Sequence, residues 1–169
     1  MFYLDLFRAL ERERVHYLIV GGVAVNLLGA ERMTMDIDLM LSLDADNLGR
    51  FLKVARDRKL KPAVLPVTLE QFCDASTVED WVRDKHMLAF QLRGPETDAP
   101  SIDILVRPGV PFEQAYERRR RIAIDDVTVN VASPQDIIAL KSGTGRKIDE
   151  SDIKALHRLE MLRSRKRDD

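Results

Sequence analysis

The stretch that decides the fold is residues 20–41, "VGGVAVNLLGAERMTMDIDLML", in which two glycines close one apolar run and two aspartates interrupt the next. Upstream, "HYLIV" at 16–20 is aromatic and β-branched, the composition of a short buried strand, and Gly21 and Gly22 end it as a tight turn. Apolar residues then occupy nearly every position of "VAVNLLG", with Gly29 as a C-cap, which predicts a short buried helix. "TMDIDLMLSL" at about 34–42 returns to strand character, but carries Asp36 and Asp38 inside it. Residues two apart on a strand share a face and lie about 7 Å apart, so both carboxylates converge on one spot. Neighbouring like charges at the edge of a core are costly unless something positive lies between them.

Two readings of that positive group stay open on the residues alone. One is a salt bridge from Arg32 or Lys141 to a strand-edge carboxylate. The other is a divalent metal site, because Mg²⁺ takes carboxylates, water and substrate phosphates, and paired ions share bridging carboxylates. A metal site needs a third acid, and Asp103 in "SIDILV" is the best candidate, being a second aspartate inside an apolar run where acids are depleted. A lone Asp103 facing solvent from a strand edge is the alternative. Asp125 and Asp126 read as turn residues, and Asp44 and Asp46 as helix-start residues. A glycine turn entering a helix also presents N–H groups to a phosphate. An ordinary turn explains "VGGV" equally well taken alone, and neither a Walker lysine pattern nor a full G-x-G-x-x-G is present.

Outward from this stretch, residues 2–13 have the spacing of an amphipathic helix, and "DADNLGRFLKVARDRK" predicts another behind Ser42 or Asp44. Residues 60–85, with Pro62, Pro66 and Trp81, carry no clear period. "HMLAFQLR" at 86–93 and "SIDILV" at 101–106 predict a hairpin across "GPETDAP", and "RIAIDDVTVNVAS" at 121–133 predicts a second. Ser133, Pro134 and Asp136 form a helix-start signal, and a last amphipathic helix is expected from Glu150. The alternation predicts an α/β or α+β architecture, a mixed sheet flanked by helices, in a single domain spanning 1–169 with a core of about 15–133 and a C-terminal helical segment of about 134–165.

Composition narrows the classes further. The 169 residues, 45% hydrophobic and 33% charged, suit one globular unit. No apolar run approaches the roughly 18 residues of a membrane span, and the N-terminus does not resemble a signal peptide, so no membrane partner and a cytoplasmic location are expected. The single cysteine, Cys73, excludes an intrachain disulfide and a cysteine-based zinc cluster. The basic runs "ERRRRI" at 117–122 and "RSRKRDD" at the C-terminus read as solvated faces or as weak contacts for phosphate-rich partners. His16, His86 and His157 lie near none of the aspartates in sequence, which weighs against a phosphohydrolase that would use histidine ligands.

The joined pattern G-G-x-A, then R-x-T-x-D-I-D, with the later "ASPQDIIALKSGTGRKIDESDIKAL", resembles the nucleotidyltransferase superfamily with the DNA polymerase β-like fold. Within it, the chain is similar to small bacterial AbiEii-like nucleotidyltransferases of type IV toxin–antitoxin systems. The resemblance spans roughly residues 15–160. It implies transfer of a nucleoside monophosphate from a nucleoside triphosphate (NTP) such as ATP to a hydroxyl on a tRNA end, a protein or a small molecule, with two Mg²⁺, or Mn²⁺, as cofactors and a cognate antitoxin as partner. It also implies that Gly21, Gly22, Arg32, Thr34, Lys141 and Arg146 contact the nucleotide and that Asp36, Asp38 and Asp103 are catalytic metal ligands, Asp103 helping to deprotonate the acceptor. Asp149 falls in the same C-terminal segment as Arg146, a segment that closes over the nucleotide in the family. Val23 departs from members that carry a serine or threonine beside the second glycine. The alternative reading is a non-catalytic nucleotide-binding regulatory or antitoxin-type module, and oligomeric state is left open.

Overall fold

The computed structural model describes residues 2–64, 66–85, 87–96 and 99–168. Its elements run α1 (Phe2–Arg12), β1 (Tyr17–Val20), α2 (Gly21–Leu27), β2 (Ile37–Leu41), α3 (Ala45–Asp57), β3 (Lys61–Pro62), α4 (Leu69–Phe72) and α5 (Ala75–Lys85). They continue with β4 (Ala89–Arg93), β5 (Ser101–Leu105), α6 (Phe112–Glu117), β6 (Arg120–Ile124), β7 (Val127–Val131), α7 (Pro134–Lys141) and α8 (Lys147–Asp168). The strands form one seven-stranded sheet in the order β3-β4-β5-β2-β1-β7-β6. It is mixed: β2 pairs β5 and β1 pairs β7 in parallel, and the remaining neighbours are antiparallel. This is the expected mixed sheet flanked by helices.

The central strands are buried on both faces, which is why β1 reads as an unbroken apolar run: Tyr17, Leu18, Ile19 and Val20 are all buried. Helix starts follow their sequence signals. Asp44 caps α3 by accepting from the Asn47 N–H, and Ser133 caps α7 by accepting from the Asp136 N–H, with Pro134 as the first helical residue. Asn47, although buried, is satisfied through His16 and Ser42, and so ties the start of β1 to the end of β2.

Three boundaries differ from the sequence reading, and one unassigned segment proves to be structured. The glycines are the first residues of α2 and not a turn before it, because Gly21 adopts φ +61° and lets the helix begin directly off the strand. Strand β2 begins at Ile37, so Asp36 precedes it and only Asp38 of the pair is inside a strand. Helix α8 begins at Lys147, a turn before Glu150, because Asp149 and Glu150 donate backbone N–H groups to Arg146 O. The unread segment 60–85 folds as β3, α4 and α5, and its apolar residues reach the core: Phe72 stacks on Phe90 with ring centroids 4.2 Å apart, and Trp81 on Phe90 at 6.2 Å. The sequence reading also missed α6. Both predicted hairpins are present, the second turning at Asp125 with φ +51°. His86, at the predicted start of the first hairpin, lies outside the described residues.

Candidate nucleotidyltransferase site

The sheet order places the acids. Because β5 lies beside β2 in parallel register, Asp103 is directly opposite Asp38, and Gln91 of β4 is opposite Asp103. Adjacent strands are about 4.8 Å apart, so two carboxylates and an amide form one row across three strands. Ile37 pairs with Ile102, which sets Asp36 against Ser101, and the Ser101 hydroxyl donates to Asp36 Oδ1 at 2.7 Å. Gln91 Nε2 donates to Asp103 Oδ1 at 2.9 Å. The Gly22 backbone amide favours the ionised form of Asp38. Asp36 and Asp103 are therefore each held by a neutral donor.

No basic side chain bridges the acids among the described residues, so the salt-bridge reading does not describe this site. Arg32 instead faces Asp152, Nη1 to Oδ2 at 3.3 Å, and Lys141 Nζ lies 2.7 Å from Asp149 Oδ1 and 2.8 Å from Asp152 Oδ2. Both acids come from α8, and both are buried with Lys141. Asp152 Oδ2 and Arg32 Nε make no aligned hydrogen bond, so their contacts are charge contacts between packed groups. Burial favours the neutral form of Asp149, but hydrogen bonds from Lys141, Thr144 and Arg146 outweigh it and hold the carboxyl at about 2. Asp38 behaves in the opposite way: burial first, then the charge of Asp103, push its pKa up, against the Gly22 N–H, Lys141 and Arg32.

The glycines have a role beyond a turn. A Cβ on Gly21 would fall 1.8 Å from Asp38 Oδ2, and one on Gly22 would fall 2.2 Å from Arg32 Nη1 and 2.7 Å from Thr34 Oγ1. The space a side chain would fill is taken by the carboxylate, the guanidinium and the hydroxyl. Gly21, Gly22, Arg32, Asp38, Lys141 and Arg146 line one cavity of about 360 Å³, whose far wall includes Leu88, Leu105 and Arg107. Arg107 and Leu88 were not singled out in the sequence, where an exposed Arg-Pro-Gly loop carries no signal. Asp152, Gln91 and Ser101 were also missed, since their significance rests on register and packing. Asn26 lies outside this cavity and donates to Arg32 O at 2.7 Å, shaping the loop that carries Arg32. His16 is exposed and stacks on Tyr116, and His157 is exposed.

The sequence matches the family described as "Nucleotidyl transferase AbiEii toxin, Type IV TA system" over residues 5–142. The chain belongs to that family. A comparison with curated protein sequences returned no match. Among solved structures, the AbiEii-family chain is similar to the lincosamide antibiotic adenylyltransferase LnuA, solved with lincomycin, at 20% identity and TM-score 0.59, with 94% of each chain covered. It is similar to ANT(2'')-Ia, solved with adenylyl-2''-tobramycin, at 14% identity and TM-score 0.56, covering 99% of this chain and 95% of that one. An antigenic nucleotidyltransferase-like protein from Paracoccidioides brasiliensis matches at 22% identity and TM-score 0.54, covering 95% of this chain and 75% of that one. At these identities the three show a shared fold.

The AbiEii-family site also bears on the metal expectation. Among the described residues, no group of three His, Cys, Asp or Glu side chains is drawn close enough to hold an ion. Asp36 is turned to Ser101, and Asp38 faces Asp103 across the strand pair. The donors nevertheless suit a hard divalent cation, since all are carboxylate oxygens. No described helix is long and apolar enough to cross a membrane.

Proposed function

We propose that this AbiEii-family nucleotidyltransferase is metal-dependent and transfers a nucleoside monophosphate from an NTP, in the presence of Mg²⁺ or Mn²⁺, to a hydroxyl acceptor. The observation that carries the reading is the in-register pair Asp38–Asp103 beside Gly21 and Gly22, with the protein's own cations drawn back onto α8. Asp38 and Asp103 would hold the cations, and Asp36 would join them by leaving Ser101. Cations bound there would neutralise the phosphate oxygens on which charge develops. Arg32, Thr34 and Lys141, with Arg146 at the rim, would meet the triphosphate, and Gly21 and Gly22, lacking side chains, would let Asp38, Arg32 and Thr34 crowd in beside it.

The acceptor oxygen forms a bond to the α-phosphorus as the bond to pyrophosphate breaks, and Asp103 takes the hydroxyl proton. The protein's contribution is position and electrostatics more than covalent chemistry. The acceptor would be RNA, protein or a small hydroxyl compound such as those carried by the two antibiotic-modifying neighbours, with a cognate antitoxin controlling the enzyme in the cytoplasm.

The test is incubation of the purified protein with each α-labelled NTP, Mg²⁺ and a cell extract or hydroxylated small molecules. Label on RNA, protein or a small product, lost with Asp38→Asn, is the expected result. Folded protein that labels nothing with any NTP would overturn it. One observation favours the second reading, a nucleotide-binding module without turnover: the three acids are not gathered. That reading requires NTP binding that is equally strong in Asp38→Asn and no label transferred.

A further inference from the structure

The side chain that hydrogen-bonds Asp103 is neither acidic nor basic. Gln91 sits in β4, opposite Asp103 in the antiparallel register, and its Nε2 donates to Asp103 Oδ1 at 2.9 Å. Asp38 flanks Asp103 from the other side, on β2. Asp103 is thus the middle member of a three-strand row, with an amide on one side and a carboxylate on the other. Among the described residues its Oδ2 receives no side-chain donor. Gln91 and Asp103 are both partly buried, so the hydrogen bond is shielded from competing water.

We infer that Gln91 is a positioning residue that ties down one oxygen of Asp103 and leaves the other to meet a cation and the acceptor hydroxyl, an inference that rests on the proposed metal-dependent transfer. The chemistry of the amide is what suits it to this. An amide N–H fixes a carboxylate's orientation without contributing a full positive charge, so it does not compete with a divalent ion for the carboxylate. A lysine or arginine at position 91 would hold Asp103 as firmly but would neutralise it. The backbone reinforces the arrangement: residues 89–93 pair continuously with 101–105, so Gln91 has little freedom to slide relative to Asp103. Ser101 does the same for Asp36 at the next register position, again with a neutral donor. The row therefore keeps its negative charge for ions while its carboxylates are oriented in advance. Partners of this kind around ion ligands are worth about 10–100-fold in ion affinity or activity.

Two variants separate orientation from charge. Gln91→Met keeps length and bulk but removes the donor, and Gln91→Lys keeps a donor but adds charge. Mn²⁺ affinity is read on the full-length protein without nucleotide, by electron paramagnetic resonance of free Mn²⁺, and turnover is then measured on whatever acceptor the labelling identifies. Gln91→Met is expected to weaken Mn²⁺ binding about tenfold and to lower kcat by about 10–100-fold, with KM for the NTP changed less than about twofold. Gln91→Lys is expected to weaken Mn²⁺ binding more than Gln91→Met does, although its donor is retained. Thermal melts with EDTA establish that both variants fold. A folded Gln91→Met that binds Mn²⁺ and turns over like the parent overturns the inference while leaving the proposed function intact. A parent that binds no Mn²⁺ overturns both.

Discussion

Lys141 and Asp149 form a buried ion pair, Nζ to Oδ1 at 2.7 Å, with the lysine 6% and the aspartate 0% exposed. The pair joins the last residue of α7 to the first turn of α8, and so anchors the helix whose Asp152 also holds Arg32. Removing Asp149 leaves Lys141 paired with Asp152 but takes away a buried charge-assisted hydrogen bond, at a cost of about 1–3 kcal/mol. Asp149→Ala is expected to unfold at lower urea by that amount, and a loss under about 1 kcal/mol would show the pair to be replaceable by water.

The same carboxyl sets a pH dependence. Its folded pKa of about 2 lies below the ordinary 3.8, so its stabilisation is complete above about 4 and lost as pH falls through 2. Urea melts between pH 7 and 2 are expected to show falling stability in the parent and a flatter profile across pH 4 to 2 in Asp149→Asn. Parallel profiles would remove Asp149 as the source.

Asp38 predicts the reverse sign. Its folded pKa is raised, by burial and then by Asp103, so in the cation-free protein it costs stability as pH rises through that pKa. Asp38→Asn is expected to melt higher than the parent at pH 7 in EDTA and to lower nucleotidyl transfer by at least about 10²–10³-fold. A lower melting temperature would indicate that Asp38 is stabilised by contacts that outweigh the repulsion.

Gly21 predicts a local collision. Alanine there must adopt φ +61° and would place Cβ 1.8 Å from Asp38 Oδ2, so Asp38 has to move. Gly21→Ala is expected to lose about 1–3 kcal/mol from backbone strain alone and to lose Mn²⁺ binding with it. Differential scanning calorimetry and Mn²⁺ titration check both, and unchanged Mn²⁺ binding would show that the close approach is unnecessary.

Phe72 tests whether the segment that carried no sequence period is part of the core. Its ring is fully buried and stacks on Phe90 at 4.2 Å. Phe72→Ala is expected to cost about 3–5 kcal/mol in urea unfolding. A cost below about 1 kcal/mol would mean that α4 and α5 are only loosely attached.

The sequence by itself determined the elements whose periodicity is strong and the residues that violate it. The run "HYLIV", the capped helices at Asp44 and Ser133 and both hairpins were legible, and Asp38 and Asp103 stood out because a strand interior tolerates a carboxylate only for a reason, whereas Asp36 lies exposed just before β2. Residues 60–85 were not legible, since α4 is a single turn and β3 only two residues, too short to show a period, while α5 buries just Val78 and Trp81 among its described side chains, too few to mark a face. Tertiary structure alone decided that Asp38 and Asp103 are neighbours, because parallel pairing of β2 with β5 is a property of strand order and leaves no mark within either strand. It also decided that Arg32 and Lys141 turn to Asp149 and Asp152 on α8 and that Gln91 holds Asp103. Side-chain partners on different elements are chosen by packing, and local sequence carries no record of that choice.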